Sequence, residues 1–289
     1  MHHLVEQALR RLQIHCRRPV EHLLAGEYRS VFKGRGVEFD DLREYQPGDD
    51  VRAIDWRSLA RTGRPHLRRY IEEREQSFML ALDVSGSLAF GSEARAKRDA
   101  AMEAAALLAW SAARNKDRVG LLLFSDRVEL YLAPGHGRNH VLRLINELAG
   151  FQPAGRGTDL PLALDFIGRV SRKRGIVFLF SDFLAAGYEE SLRTLARRHD
   201  VTAVLMRDPA EAQLPRGGLV QLRDAETGRE RLVDAAAGAL SRATLERFAA
   251  VCREANLDHL EIGPQSDCVE ALSAYFHNRR RRVVHETGG

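Results

Sequence analysis

From Gln76 onward, short apolar runs alternate with longer helical patterns, and that alternation leaves few architectures open to the chain. Strands are predicted at Phe78–Leu82, Val119–Phe124, Ile176–Phe180, Val201–Met206 and His259–Ile262. Most of these runs show no polar alternation, the habit of strands buried on both faces in a parallel sheet. Val128–Leu132 does alternate, as a half-covered strand would. Helices are predicted at about Glu93–Arg114 with Ser92 as N-cap, Asn139–Leu148, Pro161 to about Arg172, Tyr188–Arg198, Leu240–Glu254 and Asp267–Arg279. Strands that alternate with helices give an α/β fold: a doubly wound, mostly parallel, Rossmann-type sheet covered on both faces. The stretch "LVQLRDAETGRERLVD" breaks the alternation and reads as a small hairpin insertion near 218–234, with Thr227-Gly228 in its turn.

Before Gln76 the chain has a different character. An amphipathic stretch from Leu4 to about Cys16 is closed by Pro19, and then come "KGRG", "QPGDD" and "RTGRP", all turn chemistry. A short run such as Leu67–Ile71 fits a strand. Two regions are therefore expected: an N-terminal segment, 1–75, packing on a main domain, 76–289.

Composition narrows the function. The chain has 289 residues, 44% of them apolar, enough for a sizeable core. No run approaches the ~18 apolar residues of a membrane span, and the first residues lack a signal-peptide core, so a cytoplasmic protein is expected. Cys16, Cys252 and Cys268 are far apart, without a C-x-x-C pair, and read as small hydrophobes. The net charge of +4 is mild, and only four of the 44 basic residues are lysines: Lys33, Lys97, Lys116 and Lys173. The densest basic runs, Ser171–Arg174 and Arg279–Arg282, fall at expected helix ends, where cations complement the helix dipole. Acidic residues interleave with the N-terminal arginines, which argues against nucleic-acid binding. His136, His140 and His199 are scattered and read as surface residues. There is no phosphate-binding G-x-x-x-x-G-K-[ST], no H-E-x-x-H and no G-x-S-x-G, so no ATPase, zinc-protease or serine-hydrolase chemistry is indicated.

The distinctive chemistry sits at strand ends. Phe78–Leu82 stops at Asp83-x-Ser85-x-Ser87, and Ile176–Phe180 stops at Ser181-Asp182. Thr158-Asp159 lies in the Gly-rich loop before the helix that feeds the latter strand. In the strand order 3-2-1-4-5-6 the first and fourth strands are neighbours, and ligands bind at that switch point beyond the carboxyl ends. The order of the sequence thus predicts that all three turns meet in one crevice. Such an oxygen-rich set, with hydroxyls and few carboxylates, suits a hard cation such as Mg²⁺, with Mn²⁺ or Ca²⁺ as substitutes. Neutral hydroxyls leave the ion's charge largely uncompensated, so it would accept a carboxylate from another protein. The alternative is structural: Asp83 and Asp182 capping local turns, and Ser85 and Ser87 as ordinary turn residues.

Asp83-x-Ser85-x-Ser87, Thr158 and Asp182 resemble, in order, the metal-ion-dependent adhesion site of von Willebrand factor A domains. The resemblance implies direct coordination by the two serines and the threonine, with the aspartates acting wholly or partly through water. A second stretch resembles a bacterial family of von Willebrand factor A-like proteins known as domain of unknown function number fifty-eight. Its residues here are Gly26, Ser30, Gly34, Gly36, Glu38, Phe39, Arg43, Tyr45, Pro47 to Asp50, Arg52, Ile54 to Trp56, Ala60 and Arg61. That resemblance implies an adaptor or chaperone-like protein partnered with a MoxR-type AAA+ ATPase and a further protein client. Within the segment, Asp49, Asp50 and Asp55 are expected to pair with Arg43, Arg52 and Arg61, while Tyr45 and Trp56 pack on the sheet domain. The start of the crevice also resembles aspartyl-phosphatase-type enzymes, and that resemblance implies an enzymatic alternative, a metal-dependent phosphoesterase with a second acid two residues after Asp83. Ser85 occupies that position, so a non-enzymatic binding role is expected.

Overall fold

The computed structural model describes residues 24, 27–28, 31–32, 41–46, 56–69, 75–92, 95–212, 219–223, 230–234 and 240–287. The predicted amphipathic stretch from Leu4 to Cys16 and the Thr227-Gly228 turn lie outside them. The chain divides into two compact units, Phe32–Glu75 and a larger one made of Met1–Val31 with Gln76–Gly289.

In the smaller unit, strands β1 (Asp41–Glu44) and β2 (His66–Arg69) pair antiparallel. Tyr45 extends the pair by donating its N–H to Pro65 O at 2.9 Å. Helix α1 (Trp56–Thr62) lies between them in sequence and ends at Gly63, whose φ of +71° suits glycine. Trp56 is exposed. Asp49, Asp50, Arg52 and Asp55 of the expected ion pairs lie outside the described residues, and Arg61 is exposed.

The larger unit contains β3 (Ser77–Asp83), α2 (Lys97–Arg114), β4 (Arg118–Phe124), β5 (Val128–Gly135), α3 (Arg138–Gly150) and α4 (Leu160–Val170). It continues with β6 (Ile176–Ser181), α5 (Glu189–Arg198), β7 (Asp200–Met206), the hairpin β8 (Leu219–Arg223) and β9 (Glu230–Asp234), α6 (Leu240–Glu254), β10 (Asp258–Ile262) and α7 (Cys268–Thr287). Six strands form one sheet in the order β10-β7-β6-β3-β4-β5. All its pairs are parallel except β4 with β5 at one edge. This is the doubly wound order expected from the sequence, with β3 and β6 adjacent at its centre. The hairpin pairs antiparallel from Leu219 with Asp234 to Arg223 with Glu230.

The core follows from the two-residue strand period. Met79, Ala81, Val177, Leu179 and Ala203 point to one face and pack against Leu160, Leu164, Leu192, Phe248 and Val251 from α4, α5 and α6. Phe78 and Phe178 point to the other face, where their rings meet Tyr28 and Tyr275. Helix α2 lies between the sheet, α3 and α7 and is buried on most sides. Its alanines, among them Ala100, Ala101, Ala104 and Ala105, allow that close approach. It begins at Lys97 rather than near Glu93. Asp99 caps it by accepting the Ala96 N–H at 3.0 Å, and Ser92 turns to Asp208 instead.

Two further expectations change. Arg279–Arg282 lie within α7, not at its end, because the helix continues to Thr287. Arg279 pairs there with Asp200 and with Asp258 at 3.1 Å. His199 is buried, not on the surface, and its Nδ1 accepts the Gly175 N–H at 3.3 Å.

Candidate functional site

Asp83 ends β3 at the carboxyl edge of the sheet, and Val84 carries the ladder one step further by donating to Phe124 O at 2.8 Å. There the chain turns sharply. Asp83 Oδ1 accepts the Ser85 N–H at 2.9 Å, so the carboxylate orders its own turn. Ser85 is extended (φ −60°, ψ 170°) and leads into a 3-10 turn, Gly86–Ala89, anchored by buried Leu88. That geometry brings Ser85 Oγ and Ser87 Oγ together in a hydrogen bond, 3.1 Å apart.

β6 brings a second loop to the same edge. Ser181 Oγ donates to Asp83 Oδ2 at 2.8 Å and accepts the Phe183 N–H at 3.2 Å. Asp182 Oδ1 accepts the Leu184 N–H at 3.2 Å. Phe183 between them is buried at φ +52°, a left-handed conformation that a non-glycine residue adopts only when its surroundings enforce it. The third loop arrives through its backbone. Arg156 O accepts the Gly86 N–H at 2.8 Å, and Ser125 O accepts the Asp159 N–H at 2.9 Å. Asp159 caps α4 by accepting the Leu162 N–H at 2.9 Å, which places half-buried Thr158 just ahead of the helix. The loop has little slack: a Cβ on Gly155 would stand 2.2 Å from Ser125 Oγ.

The structure therefore brings Asp83, Ser85 and Ser87 together by side chain, sets Asp182 on the adjoining strand end, and ties in the Thr158 loop by main chain. Asp83 is fully buried, and its carboxyl is raised to about 7 by that burial and by the nearby Asp182 charge, against hydrogen bonds from Ser85 and Ser181. Two buried carboxylates with converging hydroxyls match the donor chemistry of a hard divalent cation. The ligand set is thin in charge: among the described residues, no group of three or more His, Cys, Asp or Glu is placed to hold a metal. Any ion here would rest largely on hydroxyl oxygens.

Two further residues take part. Ser181 reads in the sequence only as part of an oxygen-rich turn, yet it binds Asp83 directly. Lys97 is completely buried, with Nζ 3.0 Å from Asp182 Oδ2 and 2.6 Å from Glu211 Oε1. Its one visible signal was its identity, a lysine in a chain that otherwise uses arginine almost throughout.

A six-stranded sheet in this order, parallel but for one edge strand and covered by helices on both faces, is a doubly wound, Rossmann-type sheet. Within that class, the chain belongs to the family described as "Protein of unknown function DUF58", which matches residues 41–255. It is 36% identical over 289 residues to "Uncharacterized protein Rv1480" of Mycobacterium tuberculosis strain H37Rv, covering 96% of this chain and 90% of that protein. Among solved structures, it is similar to an aerotolerance-related membrane protein from Bacteroides fragilis, with a TM-score of 0.49, 15% identity and coverage of 72% of this chain and 99% of that one. It is similar also to the SpRpn10 VWA domain, with a TM-score of 0.41, 11% identity and coverage of 71% and 95%. No helix among the described residues is long and apolar enough to cross a membrane.

Proposed function

We propose that this protein is a cytoplasmic, metal-dependent binding adaptor, not an enzyme, which holds a partner protein's carboxylate at the carboxyl edge of its sheet. The ion would be Mg²⁺, with Mn²⁺ or Ca²⁺ as substitutes, held by Asp83, Ser85, Ser87, Thr158 and Asp182. The observation that carries the reading is the 3.1 Å separation of Ser85 Oγ and Ser87 Oγ beside a buried carboxylate. Adjacent ligands of an octahedral Mg²⁺ with bonds of 2.0–2.1 Å stand about 2.9 Å apart. A bound divalent ion would supply an open coordination position for an incoming carboxylate. The protein's own groups do the rest: Asp83 orders the turn and Ser181 fixes Asp83.

The rim supports a protein partner. Phe90 and Leu184 are exposed and lie on the loops that follow Ser87 and Asp182. Exposed apolar side chains beside a polar centre are the ordinary makeup of an interaction surface. From the family resemblance, the partner is a MoxR-type AAA+ ATPase that acts with this chain on a protein client.

The test is capture of that ATPase from lysate by the native protein and by Asp83→Ala, with and without EDTA. Capture should require Asp83 and a divalent ion, and Mg²⁺ or Mn²⁺ should restore it after chelation. Capture indifferent to both would defeat the mechanism. The phosphoesterase alternative predicts metal-dependent turnover of p-nitrophenyl phosphate that disappears in Asp83→Asn.

A further inference from the structure

Lys97 has no task in that reading, yet its placement is costly. It sits in the first turn of α2, where the helix dipole disfavours a cation, and its side chain is 0% exposed. Its Nζ is held in two ion pairs, 3.0 Å from Asp182 Oδ2 and 2.6 Å from Glu211 Oε1. Three acids face it: Asp182 from the β6 loop, and Asp208 and Glu211 from the segment after β7. That segment is held in place. Asp208 accepts the Ser92 N–H at 2.7 Å, the Ser92 hydroxyl at 2.8 Å and the Ala210 N–H at 2.8 Å, while Glu211 Oε2 accepts the Asp208 N–H at 3.1 Å.

Resting on the cation site proposed above, we infer that Lys97 is a tethered cation that shares Asp182 with the bound ion and thereby weakens the crevice's grip on it. The charge arithmetic gives the direction. Lys97 sets one positive charge 3.0 Å from Asp182 and so offsets the negative charge that Asp182 offers a divalent ion. Glu211 works the other way, because its Oε1, 2.6 Å from Nζ, competes with Asp182 for the ammonium. Its side chain is 25% exposed, so it is reachable from the rim while Lys97 is not. Lys97 and Glu211 would then set the ion affinity in opposite senses without being ligands themselves. A lysine that merely supports Asp182 would do the reverse, since its loss would loosen Asp182 and weaken ion binding.

The experiment is calorimetric titration of the full chain with Mn²⁺ alone, with circular dichroism as the check on folding. Lys97→Met should bind Mn²⁺ about tenfold more tightly than the native protein, since a like charge leaves the same low-dielectric crevice. Glu211→Gln, at a partly exposed position that tolerates the change, should bind about threefold more weakly, a smaller effect because solvent screens it. Mn²⁺ binding by Lys97→Met but not by the native protein would also support the inference, as the limit in which the ammonium excludes the ion. If native binding depends on Asp83 while folded Lys97→Met binds equally or more weakly, the inference falls and the cation site stands. If Lys97→Met does not fold, Glu211→Gln decides, and unchanged or tighter binding overturns the inference. Absence of Mn²⁺ binding in native protein and both variants overturns the cation site and the inference together.

Discussion

Buried polar residues decide the chemistry of this protein one at a time. Asp83 is held by Ser85 and Ser181, and Asp182 by Lys97 and the Leu184 N–H. His199 shows the same economy away from the crevice. It is buried and accepts the Gly175 N–H, and burial first, then Arg198 and Arg174, lowers its pKa below the usual value of 6.5. A histidine whose folded pKa is depressed stabilises the fold above its unfolded pKa, and that contribution is lost as pH falls through the folded value. Between pH 7 and pH 5 His199 therefore works toward a lower melting temperature, against the opposite contribution of the raised Asp83 carboxyl, and His199→Gln should remove that share in scanning calorimetry. An unchanged slope would assign the acid sensitivity elsewhere. The buried cysteines are inert by the same physics: burial pushes the thiols of Cys252 and Cys268 up to about 12 and about 11. The sequence had marked them as small hydrophobes. It offered no comparable sign for His199, because a lone histidine before a strand looks the same whether it faces solvent or core.

At the scale of elements, strands were legible and helix ends were not. Every predicted strand of the central sheet is present, because a continuous apolar run carries its own signature. Helix limits depend on which partner takes each terminal group. Ser92 looked like a cap for α2, but Asp208, far away in sequence, takes both its N–H and its hydroxyl. Arg279 looked like a cation at a helix end, yet α7 runs past it. Its guanidinium joins α7 to β7 and β10 through Asp200 and Asp258, and donates to Tyr275 Oη at 2.7 Å. Removing one member of a buried ion pair costs about 3–5 kcal/mol, and partial exposure of the two aspartates reduces that to about 2–3 kcal/mol here. Urea unfolding of Arg279→Ala should show a loss of that size. A change below about 0.5 kcal/mol would mean that the pair is as weak as an ordinary surface contact.

Taken as a whole, the larger unit is not continuous in sequence, since it includes residues before Val31 as well as those after Gln76. Tyr28 makes the connection. It is fully buried, its ring lies 5.0 Å from that of Phe78 and 6.0 Å from that of Phe276, and its hydroxyl donates to Asp117 Oδ2 at 2.9 Å. Tyr28→Ala should cost about 3–5 kcal/mol, as loss of a buried aromatic generally does, and Tyr28→Phe about 1–3 kcal/mol for the donor taken from Asp117. Chemical denaturation of the two variants separates packing from hydrogen bonding, and equal losses would contradict that division. By itself, the sequence determined the strands, their doubly wound order and the carboxyl edge on which Asp83, Ser85, Ser87, Thr158 and Asp182 fall. These follow from local periodicity and from the handedness of parallel crossovers, both of which can be read along the chain. Only the tertiary structure decided that Lys97 meets Asp182, that Ser181 holds Asp83 and that Arg279 lies mid-helix. Such contacts join residues tens of positions apart, and they depend on helix phase and on the depth at which elements pack, which no run of neighbouring residues encodes.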